Sequence, residues 1–222
     1  MSIKKISPDD LVCMNLHESA FPYRIDLAYA KDNNLLLGER IYRKNAKLWL
    51  HKDLADIVFK ASKICFTQHQ LHFILYDGLR TSDAQEAMMH TRNVRNNPQW
   101  LEPPRLLSPP GSGAHPRAMA IDIGLETQSG KIIDMGCPFD YLARNPHPDH
   151  NPAHRLYKHP ANILKNREML DTPMIDSSIA LNTPILPLPQ EWWDFRLPAD
   201  IYDQYEPLSE KDLPSQMKLL SI

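Results

Sequence analysis

Residues 53–80 read DLADIVFKASKICFTQHQLHFILYDGLR, and two periodicities meet inside that stretch. Leu54, Ile57, Val58, Ala61, Ile64 and Cys65 recur at three- and four-residue intervals, which predicts an amphipathic helix over 53–68. Leu71 to Tyr76 is a short apolar run closed by Asp77-Gly78, which predicts a buried strand ending in a turn. The rest of the chain does not repeat a strand–helix–strand unit. The fold class expected is therefore α+β: one compact domain with a small, mostly antiparallel sheet, helices packed on one side and Pro-rich loops around the site.

Downstream of this stretch, Ser82 is expected to cap a helix that runs to Arg95 and stops before Pro98. Residues 97–116 form a Pro/Gly/Ser-rich loop, long enough to suggest a functional role. Arg117 to Leu125 alternates small or apolar with polar residues, Gln128-Ser129-Gly130-Lys131 is a turn signal, and Lys131 to Met135 is expected to return as a hairpin strand. Residues 145–160 hold four prolines and four histidines and read as irregular. A helix is expected over 161–171 and a last aromatic-rich strand over 191–197. The domain is expected to span 1–200, with 201–222 as a peripheral acidic tail.

The chain has 222 residues, with 20 Pro against 7 Gly, the reverse of average usage, and 18 of the prolines follow residue 97. That excludes a Gly-rich linker protein and argues against one long helical bundle, since Pro breaks helix interiors. Disorder is also excluded, because the same half carries Trp192, Trp193, Phe139 and Tyr141. A net charge of −2 implies no basic face, so nucleic acid is not an expected partner. Cys13, Cys65 and Cys137 are far apart and form no CxxC, which suggests neither a disulfide framework nor a cysteine zinc site. No apolar run reaches the roughly 20 residues of a membrane span. The N-terminal segment lacks the apolar core of a signal peptide, so cytoplasmic action is the expectation.

Four short motifs carry candidate chemistry. His115 and Asp122 in HPRAMAID offer the nitrogen and oxygen donors that zinc accepts. Their offset of seven would put them on opposite faces of a regular strand, so His115 must sit in a loop, which Pro116 favours. Glu191 in EWWD could be a general base whose pKa is raised in a partly dry pocket. Arg80 in DGLR, at a strand end, could hold an oxyanion, and Asp140 closes GCPFD. Each motif alone is more simply read as a loop histidine, a rim glutamate, a surface ion pair or a capped turn.

In their order, however, DGLR at 77–80, HPRAMAID at 115–122, GCPFD at 136–140 and EWWD at 191–194 resemble the D-Ala-D-Ala dipeptidase family, the VanX-like zinc D,D-peptidases. The resemblance covers about 29–197. It implies a metal-dependent dipeptidase that hydrolyses a free D,D-dipeptide. His115 and Asp122 match two zinc ligands, and Glu191 matches the base that takes a proton from water and returns it to the leaving amine. Arg80 matches the oxyanion partner, and Asp140 with Tyr29 matches the receiver of the substrate ammonium. The partner implied is thus a small D,D-dipeptide. A D,D-carboxypeptidase acting on longer cell-wall peptides, or a non-catalytic binder of cell-wall fragments, are the alternatives.

This sequence departs from the family pattern at three places. Gly113 stands at the serine two residues before His115, with Ser112 displaced by one, and Ala118 stands at a glycine. Most important, Asp194 stands where the family has its third zinc-binding histidine. An Asp194 carboxylate reaches about as far from Cβ as an imidazole Nδ1, so the expected set is His115, Asp122 and Asp194 around one Zn2+. Its second carboxylate lowers the formal charge from +1 to 0 and suits Mn2+ or Fe2+ as well. A histidine from 147, 150, 154 or 159 is the other source of a third ligand.

Overall fold

In the computed structural model, which describes residues 3–103 and 105–220, the predicted helix and strand at 53–76 form the centre of the molecule. The chain begins with β1 (Leu11–Cys13), β2 (Tyr23–Ile25) and β3 (Trp49–His51), the last leading directly into helix α1 (Lys52–His69) and strand β4 (Leu71–Asp77). Leu54, Ile57, Val58, Ala61 and Cys65 of α1 are fully buried. Each large aliphatic among them contributes about 1.5–3 kcal/mol by leaving water. Gln70, in the left-handed conformation (φ 58°), ends the helix and turns the chain into β4.

Two short helices follow, α2 (Ser82–Met89) and α3 (Arg92–Arg95), in place of one continuous helix. The cap of α2 is Thr81 and not Ser82: the Thr81 hydroxyl accepts the Ala84 amide at 3.1 Å, while Ser82 is the first helical residue. Strand β5 (Ala120–Thr127) begins three residues later than expected, because His115–Arg117 is a 3-10 turn closed by Ala118 in the left-handed region. The return strand of the predicted hairpin shrinks to one bridge, Glu126 with Ile132, and the bond from the Ile133 amide to the Leu125 carbonyl. The inner part of that β5 edge is already taken by a strand from the C-terminal third.

Helix α4 (Ala161–Leu181) runs ten residues beyond its expected end, straight through Pro173. A proline interior to a helix frees the carbonyl four residues back. Here that carbonyl belongs to Met169, and it lies 3.6 Å from the Cys65 thiol of α1. The tertiary contact thus satisfies the group that sequence reasoning expects to stop the helix. Strands β6 (Leu186–Pro187) and β7 (Asp194–Arg196) and the short α5 (Ala199–Tyr202) complete the chain.

The main sheet has the order β2-β4-β5-β7-β6, with every neighbouring pair antiparallel except β2 with β4. β1 and β3 form a separate antiparallel pair, and α1 packs against both α4 and β4. This is the α+β architecture with a mostly antiparallel sheet. Among the described residues no helix is long and apolar enough to cross a membrane.

The segment after residue 200 is bound closely to the domain. Leu208, Leu213 and Leu219 are buried and join the core, and the buried Glu210 carboxylate accepts the Leu219 amide and the Thr81 hydroxyl. A peripheral tail would not bury these groups. Leu213→Ala is expected to lower the unfolding free energy by about 2–4 kcal/mol, read from urea denaturation. An unchanged midpoint would return the segment to the periphery.

Candidate active site

The sheet itself assembles the chemistry. Asp77 at the end of β4 lies in register with Asp122 of β5, and Asp122 lies in register with Asp194 of β7. Three aspartates therefore stand in a row across three neighbouring strands, and all are buried. Buried carboxylates that close need cationic partners. Those partners are Arg80, His115 and Arg196.

Arg80 follows the DG turn at the end of β4. A Cβ on Gly78 would come within 2.8 Å of the Trp49 carbonyl, so only glycine permits the turn this tight. The Arg80 guanidinium donates to Asp77 at 2.8 Å and approaches Asp122 and the Tyr29 hydroxyl, each at 3.4 Å. Its plane lies over the Tyr29 ring, 5.0 Å from the centroid. Asp77 also accepts the Tyr42 hydroxyl at 3.1 Å, so both of its oxygens are occupied.

His115 sits in the 3-10 turn before β5, off the ladder as its offset from Asp122 requires. Its Nδ1 lies 2.7 Å from the Gly78 carbonyl, which can only accept, so Nδ1 carries a proton. Nε2 is thereby turned toward Asp122 Oδ1 at 3.5 Å and Asp194 Oδ2 at 3.4 Å. Burial and Arg80 push the imidazole pKa down, but Asp122 and Asp194 outweigh them and raise it to about 9. Asp122 Oδ1 is buried and has no hydrogen-bond partner among the described residues. Asp77, His115 and Asp122 each offer a ligand atom within 4.8 Å of the others.

Glu191 occupies the turn between β6 and β7. That turn is held by Arg155, which donates to the carbonyls of Leu188, Trp192 and Asp194. Burial, with Asp194 and Asp122 nearby, pushes the Glu191 carboxyl up to about 8. Behind it Trp193 meets Phe139 edge-on at 5.4 Å, and Phe139 stacks on Tyr76 at 4.3 Å. This aromatic column fixes GCPFD against the sheet and leaves Asp140 at φ 62°, in the left-handed region that aspartate enters more readily than most non-glycine residues. Asp140 Oδ1 accepts the Tyr29 hydroxyl at 3.0 Å, while Oδ2 is buried and has no partner among the described residues.

All seven residues singled out from the sequence, Tyr29, Arg80, His115, Asp122, Asp140, Glu191 and Asp194, line one cavity of about 180 Å³. The four histidines of 145–160 are not among its lining residues. The sequence reading missed two groups. Asp77 opens the DGLR motif and holds Arg80, its Oδ2 accepting from the Arg80 Nε. Arg196 forms a two-pronged ion pair with Asp194, its Nε 2.8 Å from Oδ1 and its Nη2 on Oδ2. The signal for Arg196 was present in the D-F-R alternation, since residues i and i+2 of a strand share a face.

A family model described as D-ala-D-ala dipeptidase matches residues 11–211. The chain belongs to the D-Ala-D-Ala dipeptidase family. Within that family setting, the chain is 29% identical over 174 residues to the D-alanyl-D-alanine dipeptidase of Escherichia coli (strain K12), covering 78% of each protein. Among solved structures it is similar to the Serratia marcescens L-Ala D-Glu endopeptidase ChiX, with a TM-score of 0.40 and 13% identity. That match covers 69% of this chain and 84% of the other. The family matches residues on both sides of the cavity, from the N-terminal strands to the segment that carries Glu210.

Proposed function

We propose that this chain is a metal-dependent dipeptidase that hydrolyses free D-Ala-D-Ala or a closely similar D,D-dipeptide. The observation that carries the reading is Asp122 Oδ1, unpartnered among the described residues, on the Nε2 side of the buried His115 ring, in one cavity with Glu191, Arg80 and the Tyr29–Asp140 pair. A buried carboxylate oxygen with no donor is costly unless a cation meets it.

The donor set fits a divalent ion. His115 Nε2, Asp122 and Asp194 would hold it, because these groups converge on the Nε2 side of the imidazole. Asp77 meets the ring near Nδ1, 3.8 Å away, on the side whose proton goes to the Gly78 carbonyl, so it acts by orienting Arg80 and His115. Asp194 with Arg196 carries no net charge, as an imidazole carries none. The formal charge that the missing histidine would leave on Zn2+ is thereby approached, which favours zinc over Mn2+ or Fe2+. Bound there, such an ion supplies Lewis acidity to the peptide carbonyl and acidifies water.

The chain's own groups supply the rest. Tyr29 and Asp140 receive the substrate ammonium, with the free Oδ2 of Asp140 as acceptor. Glu191, buried beside Asp194 and Asp122, takes the proton of the attacking water and returns it to the leaving amine. Arg80, fixed by Asp77 and stacked on Tyr29, donates to the oxyanion as it forms.

An ammonium-receiving site favours dipeptides over longer cell-wall peptides, in which the amine is already acylated. Free D-Ala-D-Ala is expected to be cleaved at least roughly 100-fold faster, as kcat/KM, than its N-acetyl derivative, since a buried carboxylate would lose a charged partner. Equal rates would favour the D,D-carboxypeptidase reading.

A further inference from the structure

A dipeptide also presents a carboxylate, and no group assigned so far receives it. Arg80, Arg105 and Arg196 are cations that line the cavity. The Arg80 head is engaged by Asp77, Tyr29 and Asp122. Arg105 is an exposed side chain, tied through Nε to the Leu101 carbonyl. Arg196 differs from both. Its side chain is 13% exposed, Asp194 holds Nε and Nη2, and Nη1 donates to no group among the described residues.

Arg196, Gly113 and Ser108 line the same wall of the cavity, and the missing Gly113 side chain leaves room beside Nη1. A Cβ on Gly113 would lie 3.9 Å from Arg196 Nη1 and 3.4 Å from the Ser108 hydroxyl. Gly113 has φ +83°, so a side chain there is strained and the space stays empty. Arg117 fixes this loop from behind, donating to the carbonyls of Gly111 and Gly113 at 3.0 and 2.8 Å. A guanidinium carries five donors in a rigid fork, so one carboxylate can aim it while another takes its free edge.

We infer that Arg196, aimed by Asp194 across the opening left by Gly113, receives the C-terminal carboxylate of the substrate, with the Ser108 hydroxyl as the second donor. This rests on the dipeptide reading above. It makes Arg196 a specificity residue: one arm balances Asp194 and the other selects a free C-terminus.

The test compares D-Ala-D-Ala with its C-terminal amide on the zinc-loaded protein. The unsubstituted protein is expected to prefer the acid by roughly 100-fold in kcat/KM, the scale of a lost charge-assisted pair. Arg196→Met is expected to remove most of that preference, chiefly through KM, with the acid rate falling far more than the amide rate. Arg196→Lys is expected to keep part of it. If Arg196 only neutralises Asp194, acid and amide fall together in Arg196→Met, and the inference is overturned. A preference that survives there but disappears in Arg105→Met also overturns it.

Should Arg196→Met fail to fold, Ser108→Ala at the cavity rim decides: selectivity for the acid is expected to drop about 3–10-fold, as for one hydrogen bond. Unchanged selectivity would overturn the paired receptor. If neither compound is hydrolysed, the dipeptidase reading fails, and calorimetric binding of the same two compounds to the same variants still decides on Arg196. Acid-selective binding lost in the variants supports the receptor. No binding, or equal binding of acid and amide, overturns it.

Discussion

Glu191→Gln is expected to lower kcat for D-Ala-D-Ala by roughly 10²–10⁴-fold while leaving KM within a few-fold, the range of a lost general acid–base group. The substitution is nearly isosteric. The turn that carries the residue is held by Arg155 through backbone carbonyls, not by the Glu191 side chain. Burial and two neighbouring aspartates push the carboxyl to about 8, so a neutral amide fits the same surroundings. Stability should therefore hold or rise slightly as activity falls. Initial-rate kinetics together with thermal unfolding separate these effects. A variant that retains most of its kcat would remove Glu191 from the proton transfers.

The second large effect is expected at Asp194. It is 1% exposed and paired through both oxygens with Arg196, which holds its pKa well below the usual carboxylate range against the opposing effect of burial. Removing one partner leaves the other charge buried and alone. Asp194→Ala is therefore expected to cost about 3–5 kcal/mol of stability. Asp194→His restores a zinc-type donor but gives the Arg196 fork no carboxylate, so a smaller loss of about 2–3 kcal/mol is expected, together with tighter zinc binding. Combining Asp194→His with Arg196→Met should cost less than the sum of the two single changes, because neither charge is then stranded. Denaturant titrations of the four proteins read this coupling. Additive costs would mean that the pair is not a unit.

The parts of this molecule legible in its sequence are those set by local pattern. The period of 54–65 and the apolar run of 71–76 place the central helix and strand because burial imposes both spacings. The candidate residues share a cavity for a different reason: motif order along the chain, which the register of β4, β5 and β7 converts into proximity. What was missed depended on contacts between distant segments. Nothing near Pro173 tells that the Cys65 thiol takes up the Met169 carbonyl, so α4 was cut short. The tail looked peripheral because its acids are counted easily, whereas the burial of Glu210 against Thr81 and Leu219 is visible only in three dimensions. The replacement of histidine by Asp194 read as an isolated departure. With Arg196 two residues on, it is half of a neutral pair.

The excess of prolines also has a place. Pro109, Pro116, Pro138, Pro187 and Pro189 lie in or beside the segments that present His115, Asp140 and Glu191. Proline at compatible positions stabilises by about 0.4–1 kcal/mol through the unfolded chain. Rigid loops are what a site built from five separate segments requires.

The central claim is that a divalent cation at His115, Asp122 and Asp194 makes this chain hydrolyse a free D,D-dipeptide. The most direct measurement is release of D-alanine from D-Ala-D-Ala by the purified protein, with its metal content determined on the same sample. The account predicts turnover with about one zinc per chain, loss of turnover on chelation and recovery when Zn2+ is returned. Protein that binds zinc stoichiometrically yet releases no D-alanine, or that releases it undiminished after the metal is stripped, would contradict it.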